Sequence, residues 1–370
     1  ASLPKRRGPF LILEPAAQNR KARMSSPTIY TRDVRYHADA SALFAHLGGS
    51  ILLESADITT KSGISSLAVL DSSVELTCTG HSVTARAVSE SGEVIVDKLN
   101  EQLAGYGRGT FTFPQATAVD ERERLTAVSP VEPLRALTRD AGYSTDTLPM
   151  LAGGIAFDFL ETFEELPAVG ESTNTYPDYQ FQLAEIVLNI NHEEQSAQLT
   201  GVSFAGDLTP RMDELAALID SAEPSFEAEH HPEDVLTVTA DIPDAEFRTH
   251  VEQLKGNIHN GDIYQVVPAR TFTAPCPDAF AAYRQLRETN PSPYMFYQRG
   301  TGTNGRPFEL FGASPESNLK FDPATREVQL YPIAGTRPRG MNPDGSINNE
   351  LDIRMELELR TDAKEIAEHT

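Results

Sequence analysis

Polar and apolar positions in this chain change rhythm many times from about Thr31 onward, between the two-residue period of strands and the 3.6-residue period of helices. DASALFAHLGG (39–49) predicts a short helix with Asp39 as its N-cap and Gly48-Gly49 as its stop. ILLESA (51–56) then reads as a strand. SSLAVLDSS (65–73), VELTCTG (74–80) and HSVTARAVS (81–89) read as short strands of an antiparallel meander joined by turn residues. GEVIVDKLNEQLAGYG (92–107) is an amphipathic helix closed by glycine, and LAGGIAFDFLETFEELP (151–167) a glycine-kinked strand running into a helix. Residues 179–202 form a hairpin about a polar turn, and residues 210–222 another helix. The spacing of Phe247, Val251, Leu254 and Ile258 predicts a helix ended by Asn260-Gly261. Strand IYQVVPARTF (263–272), helix DAFAAYRQLRETN (278–290), strand SPYMFYQRG (292–300) and strands between 308 and 332 follow. The pattern predicts an α+β fold of mixed, largely antiparallel sheets with peripheral helices.

Residues 223–236, EPSFEAEHHPEDVL, are acidic, contain prolines and keep no period, which marks a linker. The expected division is 1–23, a non-native or disordered basic leader; 24–222, an N-terminal region; 223–240, the linker; and 241–370, a C-terminal region. Residues 1–23 carry six Lys or Arg against the single acid Glu14, and Met24 reads as a natural start. His230 and His231 lie side by side in the polar linker, where adjacent histidines are ordinarily solvated rather than metal-bound.

The 370 residues carry 54 acids and 31 bases, a formal net charge of −23. Such a surface repels nucleic acid and anionic membranes, and an anionic substrate needs a locally positive site. No run of apolar residues is long enough to span a bilayer. The two cysteines, Cys78 and Cys276, are too distant and few for a disulfide scaffold. They are expected to be buried free thiols in a reducing, cytoplasmic protein.

Candidate chemistry gathers late in the chain. YPIAGTRPRG (331–340) follows apolar residues that read as the end of a strand. Gly335 and Thr336 can present an N–H and a hydroxyl to a carboxylate. Arg337 and Arg339 either add charge there or serve as surface ion pairs. In LRTDAKEIAEHT (359–370), Asp362 and Glu365 have capping-box spacing, so a helix is expected from near Thr361. Glu365 and Glu368, three apart, then share a face. That face is either acid/base and Mg²⁺-binding machinery or an ordinary solvated acidic surface. No phosphate-binding glycine loop or nucleophile elbow is present. Cys276, between two prolines, is poorly placed as an amide-hydrolysing nucleophile.

Read together, LLESAD (52–57), GDIYQVVPAR (261–270), NPSPYMF (290–296), FGASPES (311–317), PIAGTRPRG (332–340) and RTDAKEIAEH (360–369) resemble the anthranilate synthase component I family of chorismate-utilising enzymes, in its actinobacterial form. The resemblance runs from about Val34 to the last residue and implies that the chain stops short of the family's C-terminus. It implies conversion of chorismate to anthranilate and pyruvate, the first step of tryptophan biosynthesis, with ammonia delivered by a glutamine amidotransferase subunit. By the same resemblance Gly335 and Thr336 contact chorismate, Glu368 is a ligand of Mg²⁺, and Glu365 is the general acid for the departing C4 hydroxyl. The sister aminodeoxychorismate synthases have a nucleophilic lysine at the position of Ala334, and isochorismate synthases a basic lysine at that of Gln265. A methyl cannot attack and an amide does not titrate, so ammonia is left as the attacker. LLES and NPSPYM imply a feedback pocket for L-tryptophan, with Ser55, Pro293, Tyr294 and Met295 as contacts and Glu54 beside them. The alternatives are an aminodeoxychorismate or isochorismate synthase, or a fragment of the enzyme without activity.

Overall fold

The structure, a computed structural model, describes residues 26–57, 62–138, 150–166, 174–226, 237–322 and 324–369. The expected leader and the His230-His231 pair lie outside the described residues. In chain order the first elements are β1 (Thr28–Val34), α1 (Ala40–Leu47), β2 (Ile51–Ala56), β3 (Gly63–Thr79), β4 (Ser82–Ala87), α2 (Glu90–Gln102), β5 (Gly107–Arg108) and β6 (Thr110–Thr112). Next come α3 (Glu121–Thr126), α4 (Glu132–Leu137), β7 (Leu151–Ile155), a 3₁₀ turn (Phe157–Thr162), β8 (Tyr179–Asn191), β9 (Ser196–Ser203) and α5 (Thr209–Ser221). The remainder is β10 (Thr239–Ala240), α6 (Asp244–Asn260), β11 (Phe272–Thr273), α7 (Ala279–Thr289), β12 (Tyr294–Thr301), β13 (Pro307–Ser314), β14 (Lys320–Asp322), β15 (Glu327–Gln329), α8 (Asn349–Thr361) and α9 (Ala363–His369).

One large antiparallel sheet organises the described residues, with the central order β1-β9-β8-β3-β2-β12-β13. The α+β expectation holds. Two of the predicted short strands are a single 17-residue strand, β3, paired with β8 along most of its length. Asp71, Ser72 and Ser73, which look like a turn, are absorbed by register shifts between Val69 and Val74, and Arg211 of α5 binds the Asp71 carboxylate at 2.8 Å.

On one face α1, α5 and α7 bury Leu43, Phe44, Leu215, Ile219, Phe280 and Tyr283. Each large apolar side chain removed from water contributes about 1.5–3 kcal/mol. The rings of Phe280 and Tyr297 meet edge-on at 4.8 Å between centroids. A second cluster, which includes Leu76, Ile95, Leu99, Phe111 and Tyr179, lies under α2 and α4. The sheet continues past the expected linker: β2 pairs with β12, Leu53 opposite Phe296 and Glu54 opposite Met295. Glu54 and Met295, 241 residues apart in sequence, thereby become neighbours.

The later chain departs further from the pattern. Residues 263–271 form no strand; only Phe272–Thr273 pair, with Thr239–Ala240. Arg270 is instead clamped by Asp244 at 2.6 Å and lies between the Phe247 and Phe272 rings. Residues 330–340, expected to begin as a strand end, form no ladder either. Neither α6 nor α8 buries a residue among those described. Cys78 is buried and Cys276 exposed, which corrects the expectation that both are buried.

Candidate active site

The break between α8 and α9 sets up the site. Asn348 caps α8 through the Leu351 N–H, and the helix ends at Asp362, whose ψ of 124° is extended. Asp362 then starts α9, its Oδ1 accepting the Lys364 N–H at 2.9 Å. The helix thus begins where the sequence places it. The capping box does not close, because Glu365 is used elsewhere: its Oε2 accepts the Gly335 N–H at 2.6 Å. A side chain at Gly335 would collide with that carboxylate, so only glycine allows this approach.

Both arginines of the 331–340 stretch are ion-paired. Arg337 lies 2.8 Å from Asp362 and 3.7 Å from Glu365. Arg339 grips Asp352 with two hydrogen bonds at 2.8 and 2.7 Å, and the Gly340 N–H adds a third at 2.9 Å. These bonds, led by Arg339, hold the Asp352 carboxyl down at about 2. From the other side, Glu316 accepts the Ile333 N–H at 3.2 Å. The loop is therefore fixed to α8, α9 and the segment after β13, with Gly335 facing Glu365. Thr336 is exposed beside it.

Glu368 faces a different neighbour. Gln265 Nε2 donates to its Oε1 at 3.0 Å, and Lys364 Nζ to its Oε2 at 2.9 Å. Lys364 first, and Gln265 with it, keep the Glu368 carboxyl below its ordinary range. The same ammonium lies 3.6 Å from Glu365, so one cation spans both carboxylates. Among the described residues no cluster of three or more His, Cys, Asp or Glu is positioned to hold a metal ion. A single carboxylate kept ionised, as that of Glu368 is, nonetheless fits Mg²⁺, which is commonly held by one or two carboxylates plus substrate oxygens and water.

Ser55, Pro293, Tyr294 and Met295 line one cavity of about 1060 Å³, together with Glu54 and Ser66. The β2–β12 pairing brings the two segments together. Met295 is buried in the core as well as lining the cavity, whereas Tyr294 is 45% exposed. Sequence reasoning missed the polar groups behind this wall. Tyr283 and Arg287 of α7 reach Glu54 at 2.5 and 3.0 Å, and Ser66 and His192 join them from β3 and the β8–β9 turn. The four-residue spacing of Tyr283 and Arg287, one helix face, is the signal that could have found the first two.

The family description "chorismate binding enzyme" matches residues 84–370. This chain belongs to the chorismate-binding enzyme family. It is 38% identical over 362 residues to anthranilate synthase component 1 of Serratia marcescens, covering 92% of this chain and 68% of that protein. To the same component of Escherichia coli it is 37% identical over 361 residues, with 92% and 68% covered. To the pyocyanine-specific component 1 of Pseudomonas aeruginosa it is 40% identical over 338 residues, with 86% and 62% covered. The chain thus spans about two thirds of the length of these family members. The fold matches that of anthranilate synthase component I from Streptococcus pneumoniae at a TM-score of 0.50 and 19% identity, over 83% of this chain and 59% of that one.

Proposed function

We propose that this chain is the chorismate-converting component of an anthranilate synthase, using ammonia from a partner glutamine amidotransferase subunit. The observation that carries the proposal is the convergence of Gly335 on Glu365 and of Gln265 on Glu368, four residues from three distant stretches. Family membership and the likeness to component 1 proteins give that cluster its substrate class.

The Gly335 N–H already binds a carboxylate. Chorismate carries carboxylates of its own, and one of them takes this N–H in place of Glu365, with the exposed Thr336 hydroxyl as a second donor. Glu365, released and protonated, turns to the C4 hydroxyl and gives it the proton with which it leaves as water, and the proton that the attacking ammonia loses as it becomes the ring amine restores the acid. Ammonia is the attacker, because Ala334 offers a methyl and Gln265 an amide at the positions where a basic side chain would act. Gln265 is instead occupied in orienting Glu368. Mg²⁺, when bound, supplies positive charge against the substrate's ring carboxylate, and Glu368 is the residue that would hold it. Arg337 and Arg339, paired with Asp362 and Asp352, position the loop.

The cavity at Ser55, Pro293, Tyr294 and Met295 is the proposed site of feedback inhibition by L-tryptophan. Its mixed lining, apolar Met295 and Tyr294 against polar Ser55 and Glu54, suits an amino acid with an aromatic side chain. A cytoplasmic location belongs to the same proposal, consistent with two cysteines that form no disulfide. The nitrogen donor tests the proposal. In a protein carrying these residues at the relatives' full length, ammonium with Mg²⁺ and chorismate is expected to yield product without a partner. Glutamine is expected to serve only after an amidotransferase subunit is added. Glutamine-dependent product from the isolated component would contradict this.

A further inference from the structure

Behind the cavity wall runs a chain of hydrogen bonds joining five parts of the fold. Tyr36, just after β1, places its hydroxyl 3.1 Å from His192 Nδ1, with the two rings edge to face. His192 Nε2 lies 2.9 Å from Ser66 Oγ, and Ser66 Oγ lies 3.2 Å from Glu54 Oε1. The other Glu54 oxygen, Oε2, accepts from Tyr283 at 2.5 Å and lies 3.0 Å from Arg287 Nε. The His192 ring packs over Gly63, where a Cβ would come within 3.2 Å of it.

Proton counting gives this chain a direction. Glu54, ion-paired to Arg287, accepts, so the single hydroxyl proton of Ser66 goes to Glu54. Ser66 Oγ must then accept from His192, which puts the ring proton on Nε2. Nδ1 is left as an acceptor, and Tyr36 donates to it. Burial, the largest cause, holds His192 below its ordinary value, with Arg287 acting the same way and Glu54 opposing. The neutral ring that the counting requires is thus the favoured one. Burial and Glu54 push the Tyr283 hydroxyl upward, so it keeps its proton and donates.

We propose that His192 and Ser66 form a one-way relay that positions the Glu54 carboxylate at the cavity wall, making His192 a positioning residue for an amino-acid effector it does not touch. Glu54 and Ser66 line the cavity, and His192 stands behind Ser66. The inference rests on the effector reading of this cavity, though the relay itself is independent of it. Without the Nε2–H donor, Ser66 turns its hydroxyl or loses its rotamer, and Glu54 is left to α7 alone.

The test has two readouts on the full chain. Nitrogen-15 spectra of the histidine rings, with His192 assigned by its absence in His192→Gln, are expected to show the Nε2–H tautomer, and Ser66→Ala is expected to abolish that preference. Calorimetry with L-tryptophan as probe is expected to show about tenfold weaker binding for His192→Phe and Ser66→Ala. His192→Gln, whose amide keeps a donor toward Ser66, and Ser66→Thr are expected to stay within about threefold of wild type. An Nδ1–H ring in the wild type, or unchanged affinity in both His192→Phe and Ser66→Ala, overturns the relay. Absence of binding by the wild type, with the Nε2–H tautomer present, overturns the effector reading and leaves the relay standing.

Discussion

Gly335 has no side chain, and the Glu365 carboxylate occupies the space one would need. The sequence shows this residue as a bare N–H beside a hydroxyl, with two arginines following, and leaves open whether those arginines bind substrate or neighbours. The structure pairs them with neighbours, Asp362 and Asp352, carboxylates that lie 25 and 13 residues further along the chain. No local spacing reveals such pairs. Glu365 and Glu368 were legible as a shared helix face, but their separate partners, Gly335 and Gln265, were not. The separation of partners predicts separable defects. Glu368→Gln is expected to raise the Mg²⁺ concentration needed for activity by at least about tenfold, since an amide cannot replace the lost charge. Glu365→Gln is expected to lower turnover by about a hundredfold or more at unchanged Mg²⁺ dependence. Rate measurements across a magnesium titration separate the two, and full rescue of Glu365→Gln by excess ion would mean the roles are exchanged.

At the scale of elements, local chemistry predicted well where a helix has its own punctuation. Asp39 caps α1 through the Ala42 N–H at 2.9 Å, and Gly48 closes the helix in the left-handed region at φ 73°. Of the strand read at 263–272 only Phe272 pairs, and the strand end read at Tyr331 and Ile333 joins no ladder, because an extended, apolar segment still needs an edge along its length. The α1 cap also carries a contact that no periodicity shows: Arg284 of α7 binds both Asp39 oxygens at 2.9 Å. Burial alone would raise the Asp39 carboxyl, but Arg284, the Ala42 N–H and Ser41 outweigh it and bring the group down from 3.8 to about 2. A carboxylate whose folded pKa lies below its unfolded one contributes stability above about pH 4 and loses it as pH falls toward about 2. Asp39→Ala is therefore expected to cost about 1 kcal/mol near neutral pH. The difference from wild type is expected to shrink through the window between about pH 4 and pH 2. Denaturant unfolding at several pH values checks this, and a pH-independent penalty would assign the effect to packing.

The whole molecule is tied together by the pairing of β2 with β12, which carries the sheet across the expected linker. Hydrophobic rhythm identified both strands; their adjacency is a long-range fact that only the fold supplies. Because Ser55 and Tyr294 approach from these two strands, a ligand in the cavity touches both halves of the sequence at once. Ser55→Phe is expected to relieve tryptophan inhibition while uninhibited turnover stays near normal. Reciprocity then requires a chorismate analogue to weaken tryptophan binding, and identical calorimetric affinities with and without a saturating analogue would exclude the coupling.

On the proposed reading, Ala334 and Gln265, set beside Gly335, Glu365 and Glu368, leave the attack on chorismate to ammonia. Product identification by fluorescence and mass spectrometry tests it most directly, with Mg²⁺, chorismate and ammonium supplied to a protein carrying these residues at the relatives' full length. For the full-length protein the expected result is anthranilate and pyruvate in equal amounts, formed only when ammonium is present. Isochorismate formed without ammonium, or aminodeoxychorismate accumulating without release of pyruvate, would contradict the account.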